Sequence, residues 1–230
     1  LRQMHHIFSG CTKAKAITLT KFDTFQVTNF ANLFTNCNSL ESISIGHFVT
    51  LMAANMSQMF MQCSSLTSLD LHKFTTDSLK IMDRMFYECS SLVYLDLSKF
   101  KTNQVTKMEY LFYQCSTLNI LDLSNFITSG VSNMSYMFYD CSNLTSIKLS
   151  SFKTNNVENM ESMFYNCSSL TTLDLSTFDT GKVNYIDRMF KKCKSLQNLT
   201  LGHFDTSETH SMVEVFRECS KLPNTDTPCA

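Results

Sequence analysis

Apolar side chains recur along this chain with a single period of 26 residues. Cys11, Cys37, Cys63, Cys89, Cys115, Cys141, Cys167, Cys193 and Cys219 mark it, evenly spaced without insertion or deletion. With each Cys as column 0, column 3 is Leu in seven of the first eight units, Ala14 being the exception. Columns 6 and 8 are always Leu or Ile, as in Leu95 and Leu97. Column 11 is Phe in all eight units, from Phe22 to Phe204, and column 13 is Thr, from Thr24 to Thr206. Columns 19 and 22 are mostly Met, as in Met134 and Met137. Column 23 is Phe from Phe34 to Phe216, and Phe8 holds the same place before Cys11.

These columns predict a strand followed by a helix in each unit. The alternation around columns 6 and 8 is that of a short strand with one buried face. The apolar set at columns 16, 19, 22 and 23, as in Val131, Met134, Met137 and Phe138, has helical spacing. The invariant Thr lies three residues before that set, where a helix N-cap belongs; a stacked hydroxyl ladder is the alternative. No unit can bury its apolar face alone, so identical units must stack and share near-neighbour interfaces. The expected architecture is an α/β repeat solenoid, with a parallel strand ladder on one side and short helices on the other. Eight strands spaced by roughly 4.8 Å would make a sheet about 35–40 Å long. Residues 1–222 are expected to form one solenoid of about eight units, the N-terminal one partial, and 223–230 a C-terminal tail.

Composition follows from the repeat, whose columns hold 17 of the 19 Phe. Hydrophobic residues make up 43% and charged residues 17%, which suits a packed chain rather than a disordered one. The net charge of −1 gives no long-range pull on nucleic acid or an anionic membrane surface. No run of eighteen or more apolar residues is present, so no membrane insertion is expected of this segment. The chain starts at Leu1 inside a repeat without a signal peptide, which suggests a fragment or processed form of a longer protein.

The phrase Leu-x-x-Leu-x-Leu-x-x-Phe-x-Thr resembles the conserved half of a leucine-rich repeat, with Phe where Asn or Cys is usual. The longer phrase FITSGVSNMSYMFYDCSNL, residues 126–144, closely resembles the BspA-like leucine-rich repeats. Those repeats occur in surface proteins and lipoproteins of bacteria such as mycoplasmas and Gram-positive commensals, and in surface proteins of some protozoan parasites. The likeness covers residues 1 to about 222. It implies a leucine-rich-repeat solenoid, an extracellular or cell-surface location, and adhesion or host contact with varied ligands. It carries no catalytic residue over to this chain.

Several columns bear side chains that could recognise a partner. Column 7 gives Asp70, Asp96, Asp122, Lys148 and Asp174 on the strand face, expected to be concave. Aligned carboxylates at that spacing repel by about 1 kcal/mol in water, a cost that would suit a stripe binding cations or bases. Solvated Asp relieved by Ser98, Ser124 and Ser176, with Lys148 breaking the row, is the better reading as regards metal. Tyr94 and Ile120 stand in adjacent units at column 5, where polar residues are expected, and are candidate partner anchors. Column 24 is Tyr in four successive units (Tyr87, Tyr113, Tyr139, Tyr165), and column 21 adds Tyr110 and Tyr136. As i, i+3 neighbours on a helix face, Tyr110, Tyr113, Tyr136 and Tyr139 should cluster, as a binding surface or as a stabilising ladder.

The Cys column would place thiols about 5 Å apart, yet stacked parallel side chains rarely meet disulfide torsion. Free buried thiols are the better reading, and ligands spread along a line do not converge on zinc. Cys219 and Cys229 could bridge in an oxidising compartment. Sequons at Asn55, Asn133, Asn143, Asn166 and Asn198 matter only in a eukaryotic secretory pathway. The six His are most simply surface residues, and no Ser-His-Asp, His-Glu-x-x-His or Gly-rich phosphate pattern is present. No enzyme activity and no cofactor are expected. The expected partner is a protein or glycan ligand on a host or neighbouring cell, and not nucleic acid. A structural protein stacking end to end is the alternative, with Pro223 and Pro228 arguing for a stop at the C-terminal end.

Overall fold

The computed structural model describes residues 2–223. Two expectations, a Cys219–Cys229 bridge and nearly all of a 223–230 tail, lie outside the described residues. Each 26-residue unit makes one coil, and successive coils stack in register. Three parallel strand pairs run along one wall: β1 (Ala16–Thr18) with β2 (Ser42–Ser44), β3 (Ile120–Asp122) with β4 (Ser146–Lys148), and β5 (Thr172–Asp179) with β6 (Asn198–His203). Their register follows the period, Ile17 facing Ile43, Leu121 facing Ile147 and Leu173 facing Leu199. A second parallel ladder runs through column 18, bridging Gln3, Asn29, Asn55, Ile81 and Lys107 in sequence, and Asn133, Asn159, Tyr185 and Ser211.

The second wall corrects the sequence reading: no helix is present among the described residues. The stretch from column 19 to the next Cys is a chain of tight turns. In one unit the N–H groups of Met137, Tyr139 and Cys141 donate to the carbonyls of Met134, Tyr136 and Phe138, three residues back. The alternate N–H groups, of Met134, Tyr136, Phe138 and Asp140, donate instead to Asn159, Glu161, Met163 and Tyr165 in the next coil. A helix would send all of them four residues back within its own segment. Columns 21 and 25 hold positive φ in every coil, for example Tyr136 at 58° and Asp140 at 59°, which a helix excludes. They stand third in the turns 134–137 and 138–141, the place where a type II turn needs positive φ.

The invariant Thr is therefore no helix cap. Thr102 Oγ1 donates to the Ile127 carbonyl at 2.9 Å and accepts the Ile127 N–H at 2.7 Å. Thr50, Thr76, Thr128 and Thr154 make the same double contact with the following coil. The hydroxyl-ladder alternative is closer, with backbone rather than hydroxyl as the partner. Each Thr is buried, so losing the hydroxyl would strand a backbone N–H and C=O.

Between the walls lies a continuous core of the expected columns. Column-23 rings stack from Phe8 through Phe34, Phe60, Phe86, Phe112, Phe138, Phe164 and Phe190 to Phe216, with centroids 5.3–6.0 Å apart. Met fills the space beside them, as Met134, Met137, Met160 and Met163, all fully buried. The eight Cys from Cys11 to Cys193 are unbridged, as expected for the column. Cys115, Cys141 and Cys167 each turn their thiol toward a Phe carbonyl of the preceding coil, at 3.1–3.2 Å. Burial holds these thiols protonated, pushing Cys37 up to about 11 and Cys89 up to about 12.

Candidate binding surfaces

The two walls carry aromatic residues in opposite circumstances. On the turn wall, Tyr87, Tyr113, Tyr139 and Tyr165 form a stack with centroids 4.5–4.7 Å apart and planes within 10°. Tyr110 and Tyr136 make a second stack at 4.7 Å, and the two stacks lean together through Tyr110–Tyr113 at 5.8 Å and Tyr136–Tyr139 at 5.7 Å. The clustering expected from i, i+3 spacing thus occurs, produced by turns rather than a helix. Arg84 covers the free face of Tyr110 at 4.4 Å, and Lys192 lies 5.3 Å from the Tyr165 ring. Both cations escaped the sequence reading, although Arg84 shares column 21 with Tyr110. The Tyr136 hydroxyl donates to Glu161 at 2.5 Å. Burial, with neighbouring phenols second, raises Tyr113 and Tyr139 to about 12. These rings are half-buried, and their faces are spent on one another.

On the strand wall, Tyr94 is 64% exposed and Ile120 54% exposed, with Val93 beside them at 54%. Tyr94 and Ile120 line an open hollow of about 460 Å³, together with Asp96, Asp122, Ser124 and Asn125. The alternation of β3, where Leu121 is buried between exposed Ile120 and Asp122, recurs at Tyr94, Leu95 and Asp96 without a strand being formed there. Asn125 holds the rim by donating from Nδ2 to the carbonyls of Leu97 and Phe100 in the preceding coil, at 3.0 and 2.7 Å.

Each carboxylate of the row is aimed by the backbone two residues on. Asp70 accepts the His72 N–H at 3.1 Å, Asp96 the Ser98 N–H at 2.9 Å, Asp122 the Ser124 N–H at 3.0 Å and Asp174 the Ser176 N–H at 2.9 Å. These bonds stabilise the ionised forms. Lys148, then Ser124, takes Asp122 down to about 2. The His72 hydrogen bonds lower Asp70, and those from Ser98 lower Asp96, with Lys99 contributing at longer range. Basic side chains already pair with two of the four: His72 Nδ1 lies 2.5 Å from Asp70 and the Lys148 ammonium 2.8 Å from Asp122. Among the described residues no cation pairs with Asp96, and no cluster of His, Cys, Asp and Glu has the arrangement of a metal site. The predicted anchors therefore fall into two groups: Tyr94, Asp96, Ile120 and Asp122 share one hollow, while Tyr110, Tyr113, Tyr136 and Tyr139 share the opposite stack. Asp70 sits one coil away from the hollow.

A family model described as "Mycoplasma protein of unknown function, DUF285" matches residues 2–121 and again 107–227. The chain belongs to this family. No curated protein matches it. Solved structures with similarity include a leucine-rich repeat protein of T. pallidum, at 21% identity and TM-score 0.47, covering 74% of this chain and 72% of that one. A leucine-rich repeat protein of Eubacterium ventriosum is similar at 19% identity and TM-score 0.46, over 95% and 46% of the two chains. A leucine rich cell surface protein of Faecalibacterium prausnitzii is similar at 19% identity and TM-score 0.46, over 86% and 48%. The chain thus spans about half the length of the last two. This DUF285 chain is a repeat of coils stacked in register. Among the described residues no helix is long and apolar enough to cross a membrane.

Proposed function

We propose that this DUF285 chain is a non-enzymatic binding or adhesion module of a cell-surface or secreted protein, and that it engages its partner through the strand wall. The observation that carries this reading is the hollow lined by Tyr94, Ile120, Asp96 and Asp122. Two large apolar side chains in adjacent coils are left in water where neighbouring coils place Ser68, Ser146 and Thr172. Exposed apolar side chains beside oriented acceptors are the ingredients of a recognition site. The repeat supplies rigidity, since every coil is clamped to the next by its Thr and its turn hydrogen bonds. The similarity to a leucine rich cell surface protein agrees with a surface location.

The test is saturable binding of the purified chain to peptide and glycan arrays, with the Tyr94→Ala/Ile120→Ser double variant alongside. Loss of binding in a variant that unfolds at the same urea concentration supports the strand wall. Undiminished binding by that variant contradicts it.

A further inference from the structure

We infer that the strand-wall hollow accepts the cationic head of a Lys or Arg side chain carried by a partner protein's apolar-basic segment, with Asp96 as its counter-ion. This rests on the reading of the strand wall as the binding face and adds the chemistry of the ligand.

The acid row itself shows what it takes. Asp122 holds the Lys148 ammonium at 2.8 Å, reached from the following coil along the same column. Asp70 holds the His72 imidazole. Between them stands Asp96, its carboxylate fixed by the Ser98 N–H and without an ion-pair partner among the described residues. Lys99 is near enough to lower its pKa and not near enough to pair with it. Asp174 is also unpaired, yet its outward neighbours Thr172 and Ser176 are polar. Within the row, among the described residues, only at Asp96 does the open carboxylate adjoin large exposed apolar side chains, Tyr94 in its own coil and Ile120 in the next. A Lys or Arg side chain has this composition in reverse: an aliphatic stem for Tyr94 and Ile120, and a charged head for Asp96. The Tyr94 ring adds a cation–π face, since no other ring stacks on it among the described residues. The hollow's volume of about 460 Å³ fits one or two inserted side chains rather than a domain, at the lower end of the roughly 300–1,000 Å³ typical of small-ligand sites.

The experiment is an amide NMR titration of the full chain with Ac-Leu-Lys-Leu-NH2, Ac-Leu-Glu-Leu-NH2 and a neutral oligosaccharide, cellotriose. The expected result is a saturable response to the Lys peptide, confined to amides of residues 94–98 and 120–124. Asp96→Asn should weaken it about tenfold, as for loss of a charge-assisted hydrogen bond. That substitution keeps the side-chain oxygen that caps Ser98, so folding is preserved, and Asp174→Asn should leave the response unchanged. Raising salt should weaken binding in the parent chain and not in Asp96→Asn. A response to cellotriose or the Glu peptide at those amides, without one to the Lys peptide, would overturn the cation assignment and leave the strand wall standing as binding face. Silence to all three probes, or a Lys response insensitive to Asp96→Asn, would overturn the assignment as well.

Discussion

Tyr113 and Tyr94 are the same residue type, in one coil and on opposite walls. Tyr113 has a parallel ring on each side, at 4.5 and 4.7 Å, and is partly buried. Tyr94 is 64% exposed and lines an open hollow. The difference shows that a repeat column can make tyrosine structural or leave it available. A Tyr repeated at the same column finds its neighbour's face about one coil-spacing away and is consumed in stacking. A Tyr that appears once in its column, as at column 5, has no such neighbour and keeps its surface for a partner.

Four perturbations would break or sharpen that contrast. The largest effect is expected from the core beneath the turn wall, where Phe112 is fully buried in the ring stack. Phe112→Ala should cost about 3–5 kcal/mol, read as a fall in the urea midpoint. Thr102→Val should cost about 1–3 kcal/mol by the same measurement, since it leaves the Ile127 N–H and C=O without their buried partner. Tyr113→Ala should cost about 1–2 kcal/mol from its two stacking contacts and leave array binding unchanged. If it abolished binding at intact stability, the turn wall would be the binding face.

The smallest effect concerns acid. Asp122 is held down at about 2 in the folded chain, from an ordinary 3.8, chiefly by Lys148. A lowered carboxylate favours the folded state above its unfolded pKa, and that contribution fades as pH falls from about 4 through about 2. Both partners are well exposed, so the loss should stay below about 1 kcal/mol. Lys148→Met should shrink the difference between thermal melts at pH 5 and pH 2.5; an unchanged difference would show that the pair adds nothing to stability.

The coils and their inward columns were legible because stacking in register turns a three-dimensional neighbour into a fixed sequence interval. Phe8 through Phe216 needed only the 26-residue period to be found. The second wall misled because its inward positions imitate a helix. Turns that repeat every four residues bury Met134, Met137, Phe138 and Cys141, which is the i, i+3, i+4, i+7 pattern of an amphipathic helix. The distinguishing signal lies in the polar columns between them. Column 25 contains Gly10, Asn36, Asp140 and Asn166, residues that tolerate positive φ, and no β-branched residue occurs in column 21 or 25. At the site, Tyr94 and Ile120 stood out because they break a polar column. The pairing of Asp70 with His72 and Asp122 with Lys148, which singles out Asp96, depends on side-chain reach that column positions do not encode.

The contrast between the walls is tested most directly by urea midpoints and array binding of Tyr113→Ala and Tyr94→Ala, measured side by side. The account predicts a lowered midpoint with binding kept for Tyr113→Ala, and for Tyr94→Ala a midpoint within about 0.5 kcal/mol of the parent with binding lost. The reverse assignment, with Tyr94→Ala destabilised and Tyr113→Ala unable to bind, would contradict it.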